Sequence, residues 1–316
     1  MTSSRIILHL PERYHGPLRF KDHIIYPKIE DIIHARGGRV DIARRVGSVG
    51  RLADQDLHIV DNGHIQRAGY LNSATAYLDT FWHLDPSGVL ANSSISDKIF
   101  DPELIDKAGA DRFYAAIIAR FAAVRRSRYR QPDAMLAVPE GAIAVFLQGP
   151  APHQLGQAFC STEAMLCAVA KGAGGRPIVV KPHPLKPDLG LEQIDRVRAQ
   201  GHDLMTTTAN VHDVLAKAAV SVSINSAVAM EGFQHGKPAI VFGKSDFHHF
   251  VETVRNGDDF GTALQAALAR KLDHARALYW YFGLNCLWLE APDFEARLLA
   301  VFAEAGFDSA RLGLTQ

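Results

Sequence analysis

The sequence predicts an α/β protein in two domains, the second built on a parallel sheet. Three observations predict it. From residue 142 onward short apolar runs alternate with helical stretches, the rhythm of strand–helix–strand units. Between Arg125 and Pro139 the composition shifts to clustered arginines and turn residues, which places a domain boundary near residue 135. After residue 242 only helical patterns follow. The expected domains are 1–135 and 136–316, the second a five-stranded parallel sheet followed by terminal helices.

In the first domain, 5–10 reads as a strand that Pro11 ends, and the turn-rich loop Tyr14-His15-Gly16-Pro17 follows it. Residues 27–35 form a helix, 39–44 a second strand and 57–60 a third, with Asp61-Asn62-Gly63 turning the chain. Stretches 76–84 and 88–92 flank Asp85-Pro86-Ser87-Gly88, a β-turn signal, and predict a hairpin. A helix starts at Asp101-Pro102, with proline in its first turn, and runs to about 126 with a break near Gly109.

The second domain reads as strands 143–148, 177–181, 203–207, 220–224 and 239–242. Helices at 161–171, 191–199, 211–218 and 226–234 connect them, with right-handed crossovers. Helices at about 258–269, 272–281 and 292–305 complete the chain. The dense aromatics of 277–288 are core in one reading and a membrane or partner contact in the other.

Lys plus Arg and Asp plus Glu both number 34, so the net charge is zero, which argues against nucleic-acid binding. The three cysteines form no CxxC, which suits a reducing compartment. No apolar run reaches the length of a membrane span. The expected location is the cytoplasm. Arg125, Arg126, Arg128 and Arg130 are either a solvated helix end or a patch for an anionic acceptor or lipid headgroups, the latter implying peripheral association with the inner face of a membrane.

Ligands of open parallel sheets bind at the carboxyl ends of the strands. Those ends read Gln148 through His153, then Lys181-Pro182-His183-Pro184, then Thr206 to Thr208, then Asn225-Ser226, then Gly243-Lys244-Ser245-Asp246. Asn225 and Ser226 cap a helix whose free N–H groups suit an anion, and the carboxylate of Glu231, one turn on, suits sugar hydroxyls. Two prolines hold His183 beside Lys181, a pairing suited to phosphate. His153 is either a general base or an ordinary loop histidine. No HExxH or zinc-type Cys/His spacing implies a metal, and no GxSxG or P-loop occurs. Gly172-Ala173-Gly174-Gly175 precedes a strand, where a dinucleotide loop must follow one.

The segment KPHP together with NSAVAMEGFQHGKPAIVFG resembles the bacterial capsule polysaccharide biosynthesis proteins, Kdo-transferase-like enzymes of GT-B architecture. The strand ending in Gln148, the turn Asp61-Asn62-Gly63 and YLDTFWHLDPSGVLANSSI are similar to segments of that family, so the likeness covers about 61–242. It implies a GT-B-like fold of two Rossmann-like domains, an acceptor side before residue 135 and a donor side after it. It implies a metal-independent glycosyltransferase with no cofactor, working on a nucleotide-sugar donor such as a CMP-linked sugar and on a glycan or glycolipid acceptor. It implies donor phosphate contacts near His183 and Ser226 and donor hydroxyl contacts from Glu231, to which the strand ends add Gln148, Lys181, Asn225 and Lys244 as donor-binding candidates.

Members commonly carry an Asp a few residues after that glutamine, and this chain has none. The catalytic group is then His153, or Asp61 or Asp85 of the first domain. Two other activities fit the same residues: a nucleotide-sugar epimerase or hydrolase, and a catalytically silent nucleotide-sugar-binding scaffold of a polysaccharide assembly complex.

Overall fold

The first apolar run becomes an inner strand. In the computed structural model, β1 (Ile6–Leu10) pairs in parallel with β2 (Val40–Arg44) and with β3 (Leu57–Asp61). The structure describes residues 3–47, 49, 54–255 and 259–315. Between β1 and β2, α1 (Ile25–Ala35) buries Ile25, Tyr26, Ile29 and Ile33, the stripe that a period of 3.6 places on one face. β4 (Tyr70–Thr75) runs parallel to β3, and β5 (Phe81–Asp85) is antiparallel to β4.

The hairpin expected around Asp85 to Gly88 is displaced. Its turn lies at 76–80, where Tyr77 and Thr80 take φ of 54° and 71°. Polar residues hide β4 from hydropathy patterning, yet they are buried and satisfied. Asn72 donates to the carbonyls of Ile65 at 3.0 Å and Asp85 at 3.1 Å, and accepts from the Ile65 N–H at 2.9 Å.

α2 (Lys107–Ile117) starts later than Asp101-Pro102, because Ile105 is extended and Asp106 caps the helix at the N–H groups of Ala108 and Gly109. The regular part of the chain follows: β6 (Ile143–Phe146), α3 (Ala151–Gln154), α4 (Thr162–Gly172), β7 (Ile178–Lys181), α5 (Pro187–Arg198), β8 (Met205–Thr206), α6 (Val211–Lys217), β9 (Val220–Ser223), α7 (Val228–Phe233) and β10 (Ala239–Val241). The two-residue β11 (Glu252–Thr253) extends the sheet, whose order is β11-β10-β9-β6-β7-β8 with every pairing parallel. All five expected strands are present and β11 makes a sixth. One face is packed by α4, α5 and α8 (Phe260–Ala269), through Leu166, Ile194 and Phe260 among others. The other is packed by α6 and α7, through Val214, Leu215 and Val228. The expected start of α8 at Asp258 lies outside the described residues.

After α9 (His274–Leu278), the last residues turn away from this sheet. β12 (Leu287–Trp288) adds antiparallel to β5, giving a first sheet of order β12-β5-β4-β3-β1-β2. α10 (Phe294–Glu304) and α11 (Ser309–Leu312) join the core of α1 through Phe294, Leu298, Phe302 and Leu312. The chain thus forms two units, Met1–Lys98 with Tyr281–Gln316, and Ile99–Trp280. The chain crosses from one to the other at 98–99, upstream of the boundary expected near 135, and returns at 280–281. The aromatic run at its return is core: Leu278, Tyr281 and Phe282 are wholly buried.

Candidate functional site

The carboxyl ends of β6, β9 and β10 are tied together by side-chain amides. Gln148 and Asn225 form a reciprocal pair: the Asn225 N–H donates to Gln148 Oε1 at 2.9 Å, and Gln148 Nε2 donates to Asn225 Oδ1 at 3.1 Å. Asn225 Nδ2 donates onward to Gln157 Oε1 at 3.1 Å and to the Lys244 carbonyl at 2.9 Å. The Lys244 N–H closes the circuit on the Gln157 carbonyl at 2.7 Å. Gln148 and Asn225 therefore build the floor of the site. Gln157, which no sequence motif marks, is part of it. The Lys244 side chain is exposed, and beside it the buried Ser245 Oγ has no hydrogen-bond partner among the described residues. Ser226 Oγ accepts the Val228 N–H at 3.3 Å just ahead of α7, but the N-cap position itself is Ala227, and the Asn225 amide, expected as a cap, is spent on the circuit.

The KPHP turn divides its labour. Lys181 is only 8% exposed, and its ammonium donates to the carbonyls of Ala209 at 2.7 Å and Thr208 at 3.3 Å. Burial pushes its pKa down, with Glu231 opposing as the nearby negative charge. Lys181 is thus a strut between strand ends, where the sequence suggests a phosphate contact. Glu231 is 5% exposed, so its carboxylate is largely buried in α7. His183 is half-buried and differently disposed. Its Nδ1 accepts the Leu185 N–H at 3.2 Å, so a neutral ring carries its proton on Nε2. Burial holds its pKa below the ordinary value, which keeps that neutral form at pH 7. The structure also places Tyr129 edge-on to this ring, 5.1 Å between centroids.

His153 sits exposed on α3, with Nε2 3.2 Å from Thr162 Oγ1. The two aspartates lie in the other unit. Asp85 accepts at one oxygen from the N–H groups of Ser87 (2.7 Å) and Gly88 (3.1 Å), and at the other from the Ser94 N–H (2.9 Å) and hydroxyl (2.7 Å). A carboxylate so occupied staples its loop and is poorly placed to take a proton from a substrate. Asp61, 1% exposed, accepts from Tyr26 Oη at 2.6 Å, Asn62 Nδ2 at 2.7 Å and Arg13 at 3.3 Å. Arg45 donates to its carbonyl at 2.5 Å. Burial and that carboxylate raise the Tyr26 pKa well above its ordinary value, so Tyr26 remains a donor to Asp61. Asp61 anchors two half-exposed arginines at the carboxyl ends of β1 to β3.

The arginine cluster splits as well. Arg125 is committed to Asp213 in a bidentate pair at 2.9 and 2.6 Å, whereas Arg128 and Arg130 are exposed. Among the described residues no group of three His, Cys, Asp or Glu gathers as a metal site. Among the same residues no helix is long and apolar enough to cross a membrane.

No protein-family model matches the chain. No curated protein sequence matches it either. Solved structures do. Thermosulfurimonas dismutans KpsC, described as a beta Kdo 2,7 transferase, is 13% identical over 96% of this chain and 99% of its own, with a TM-score of 0.51. The beta Kdo 2,4 transferase of the same KpsC is 14% identical over 88% of this chain and 90% of its own, with a TM-score of 0.52. At such identity the likeness is one of fold: the chain has the GT-B-type α/β fold of these Kdo transferases, the fold that the resemblance implied.

Proposed function

We propose that the chain is a glycosyltransferase that binds a nucleotide-activated sugar at the carboxyl ends of β6, β7, β9 and β10. The observation that carries this reading is the closed amide circuit Gln148–Asn225–Gln157–Lys244. It ties three strand ends together, and His183 follows β7, the strand paired with β6; such a tied floor suits a bound nucleotide. His183 Nε2–H donates to a donor phosphate, the Ser226 hydroxyl and the Lys244 ammonium complete the anion contacts, and Glu231 accepts from a sugar hydroxyl. As the bond from the anomeric carbon to the phosphate oxygen breaks, these donors stabilise the departing phosphate. The acceptor is a hydroxyl of a glycan or glycolipid. His153 takes its proton, since it is exposed and, among the described residues, meets the Thr162 hydroxyl and no charged group, while Asp85 and Asp61 are committed within their own unit. The donor class includes CMP-linked sugars, the work lies in capsule or surface polysaccharide synthesis, and the site is cytoplasmic, at the inner membrane face.

The test is calorimetric titration with CMP, UDP, GDP, dTDP and ADP, followed by turnover of the matching nucleotide-sugar with and without an acceptor. Binding of one nucleotide, with release of that nucleotide only when acceptor is present, supports the reading. His153→Ala is then expected to keep binding and lose turnover. A second reading has an observation of its own: the loop 148–154 holds no carboxylate. Binding without any turnover of donor would make the protein a nucleotide-sugar-binding scaffold. Turnover without acceptor would make it an epimerase or hydrolase. Failure of every nucleotide to bind a folded sample would end all three.

A further inference from the structure

The segment 125–132 follows α2 and its continuation and has no regular structure, yet it is tied down at both ends, at Arg125 and Arg126 and again at Gln131 and Pro132. Asn210 Nδ2 donates to the carbonyls of Arg125 at 3.3 Å and Pro132 at 3.5 Å. His212 Nε2 lies 2.8 Å from the Arg126 carbonyl, and the Val211 N–H donates to Gln131 Oε1 at 3.2 Å. A carbonyl only accepts, so His212 carries its proton on Nε2, and its Nδ1 accepts from His235 Nε2 at 3.0 Å. The strap is thus latched to the first turn of α6.

That turn follows the loop 207–210 at the carboxyl ends of β7 and β8. Lys181 grips the same loop through the carbonyls of Thr208 and Ala209. A ring of contacts closes around the KPHP turn: Lys181 holds the loop, the loop holds the strap, and the strap returns Tyr129 to the face of His183, with an interplanar angle of 73°. On either side of Tyr129, Arg128 and Arg130 are exposed, and neither makes an ion pair among the described residues. Five N–H donors on each guanidinium are unclaimed by any carboxylate.

We propose that this strap is a wall of the donor site, with Tyr129 as a positioning residue that fixes the His183 ring and with Arg128 and Arg130 supplying charge for a donor that carries at least two negative charges. Two kinds of donor share that chemistry: a sugar on a nucleoside diphosphate, and an acidic sugar on a nucleoside monophosphate. The proposal rests on the nucleotide-sugar reading above. It goes further by assigning the side chains that favour a dianion, which no strand-end motif contains. A planar guanidinium fork suits phosphate and carboxylate alike. An edge-on ring restricts the imidazole without claiming either of its nitrogens.

The experiment titrates the wild type, Arg128→Gln/Arg130→Gln, Tyr129→Leu and Tyr129→Phe with CMP and with UDP, each at low and high salt. The His183 ring is followed by nitrogen-detected NMR across pH in the same four proteins. The double arginine variant is expected to lose at least tenfold in affinity and most of its salt dependence. If the loss is larger for UDP than for CMP, the donor is the diphosphate kind. If the loss for CMP equals that for UDP, the arginines read a single phosphate, as a monophosphate-linked donor requires. Tyr129→Leu is expected to move the His183 titration up toward the ordinary value and to weaken binding, and Tyr129→Phe to restore both. Unchanged affinity and salt slope in the arginine variant would overturn the charge assignment. An unmoved His183 titration in a folded Tyr129→Leu protein would overturn the positioning role. Should the wild type bind no nucleotide, the donor reading has failed, and the NMR arm still decides whether Tyr129 positions His183.

Discussion

The Nε2–H of His183 and the two oxygens of Asp85 show how differently two candidate groups fare once their neighbours are known. His183 spends one nitrogen on the Leu185 N–H and keeps the other. Replacing it by alanine removes one hydrogen bond to a charged group, about 1.5–3 kcal/mol, so nucleotide affinity is expected to fall roughly 10- to 100-fold. A fall of less than threefold in His183→Ala, measured by titration of the folded variant, would remove His183 from the phosphate. Asp85 instead has all of its acceptor capacity committed to Ser87, Gly88 and Ser94. Asp85→Ala is expected to lower stability by about 1–3 kcal/mol, because it orphans buried N–H groups. Specific activity per folded molecule is expected to stay unchanged. A folded Asp85→Ala protein with no activity would return Asp85 to the chemistry. Sequence alone leaves these two alike, since each is a polar residue in a loop next to a strand. What separates them is the set of donors in contact, and those come from elsewhere in the chain.

At the scale of elements, the parallel sheet of the second unit is legible because its strands are apolar runs between helices, and every one of those strands is found. β4 is not legible, because Asn72 and Ser73 are buried by virtue of hydrogen bonds that only the folded sheet supplies. α5 gives a third prediction. Its Gly190 stands against the KPHP turn, so that a Cβ there would lie 2.9 Å from Pro182 Cβ and 3.3 Å from Pro182 Cα. Alanine in mid-helix ordinarily gains about 1 kcal/mol over glycine. Here the neighbour is a proline ring, which has no rotamer to yield, and overpacking of this kind costs about 1–3 kcal/mol. Gly190→Ala is therefore expected to be neutral to destabilising. It should also weaken nucleotide binding, because the strain falls on the residue before His183. A Gly190→Ala protein more stable than wild type by chemical denaturation, with unchanged affinity, would show that α5 shifts freely and does not set the turn.

The whole molecule takes its last residues back into its first sheet, a return that residues 281–316 do not announce locally. A two-residue strand and a helix with an ordinary apolar stripe look the same whichever core they join. What each unit does hold in common is a hydrogen-bonded histidine pair, wholly buried in the first and partly buried in the second. In the first, His58 Nε2 lies 2.9 Å from Asp54 Oδ1, so its Nδ1 accepts from His9 Nε2 at 2.8 Å. In the second, His235 donates to His212 in the same way. Burial first, and the partner imidazole next, hold both His9 and His235 down to about 4. An unfolded histidine takes its proton near pH 6.5. From about pH 6.5 down to about 4, the unfolded chain therefore binds protons that the fold refuses, and stability is lost as the pH is lowered through that window. It is fully present above it. The urea midpoint is expected to drop between pH 7 and pH 4.5 at constant m-value. His9→Asn and His235→Asn each keep a donor, and each is expected to reduce the drop. A midpoint that stays level from pH 7 to pH 4.5, or falls equally in the double variant, would mean that the two pairs accept protons as readily folded as unfolded.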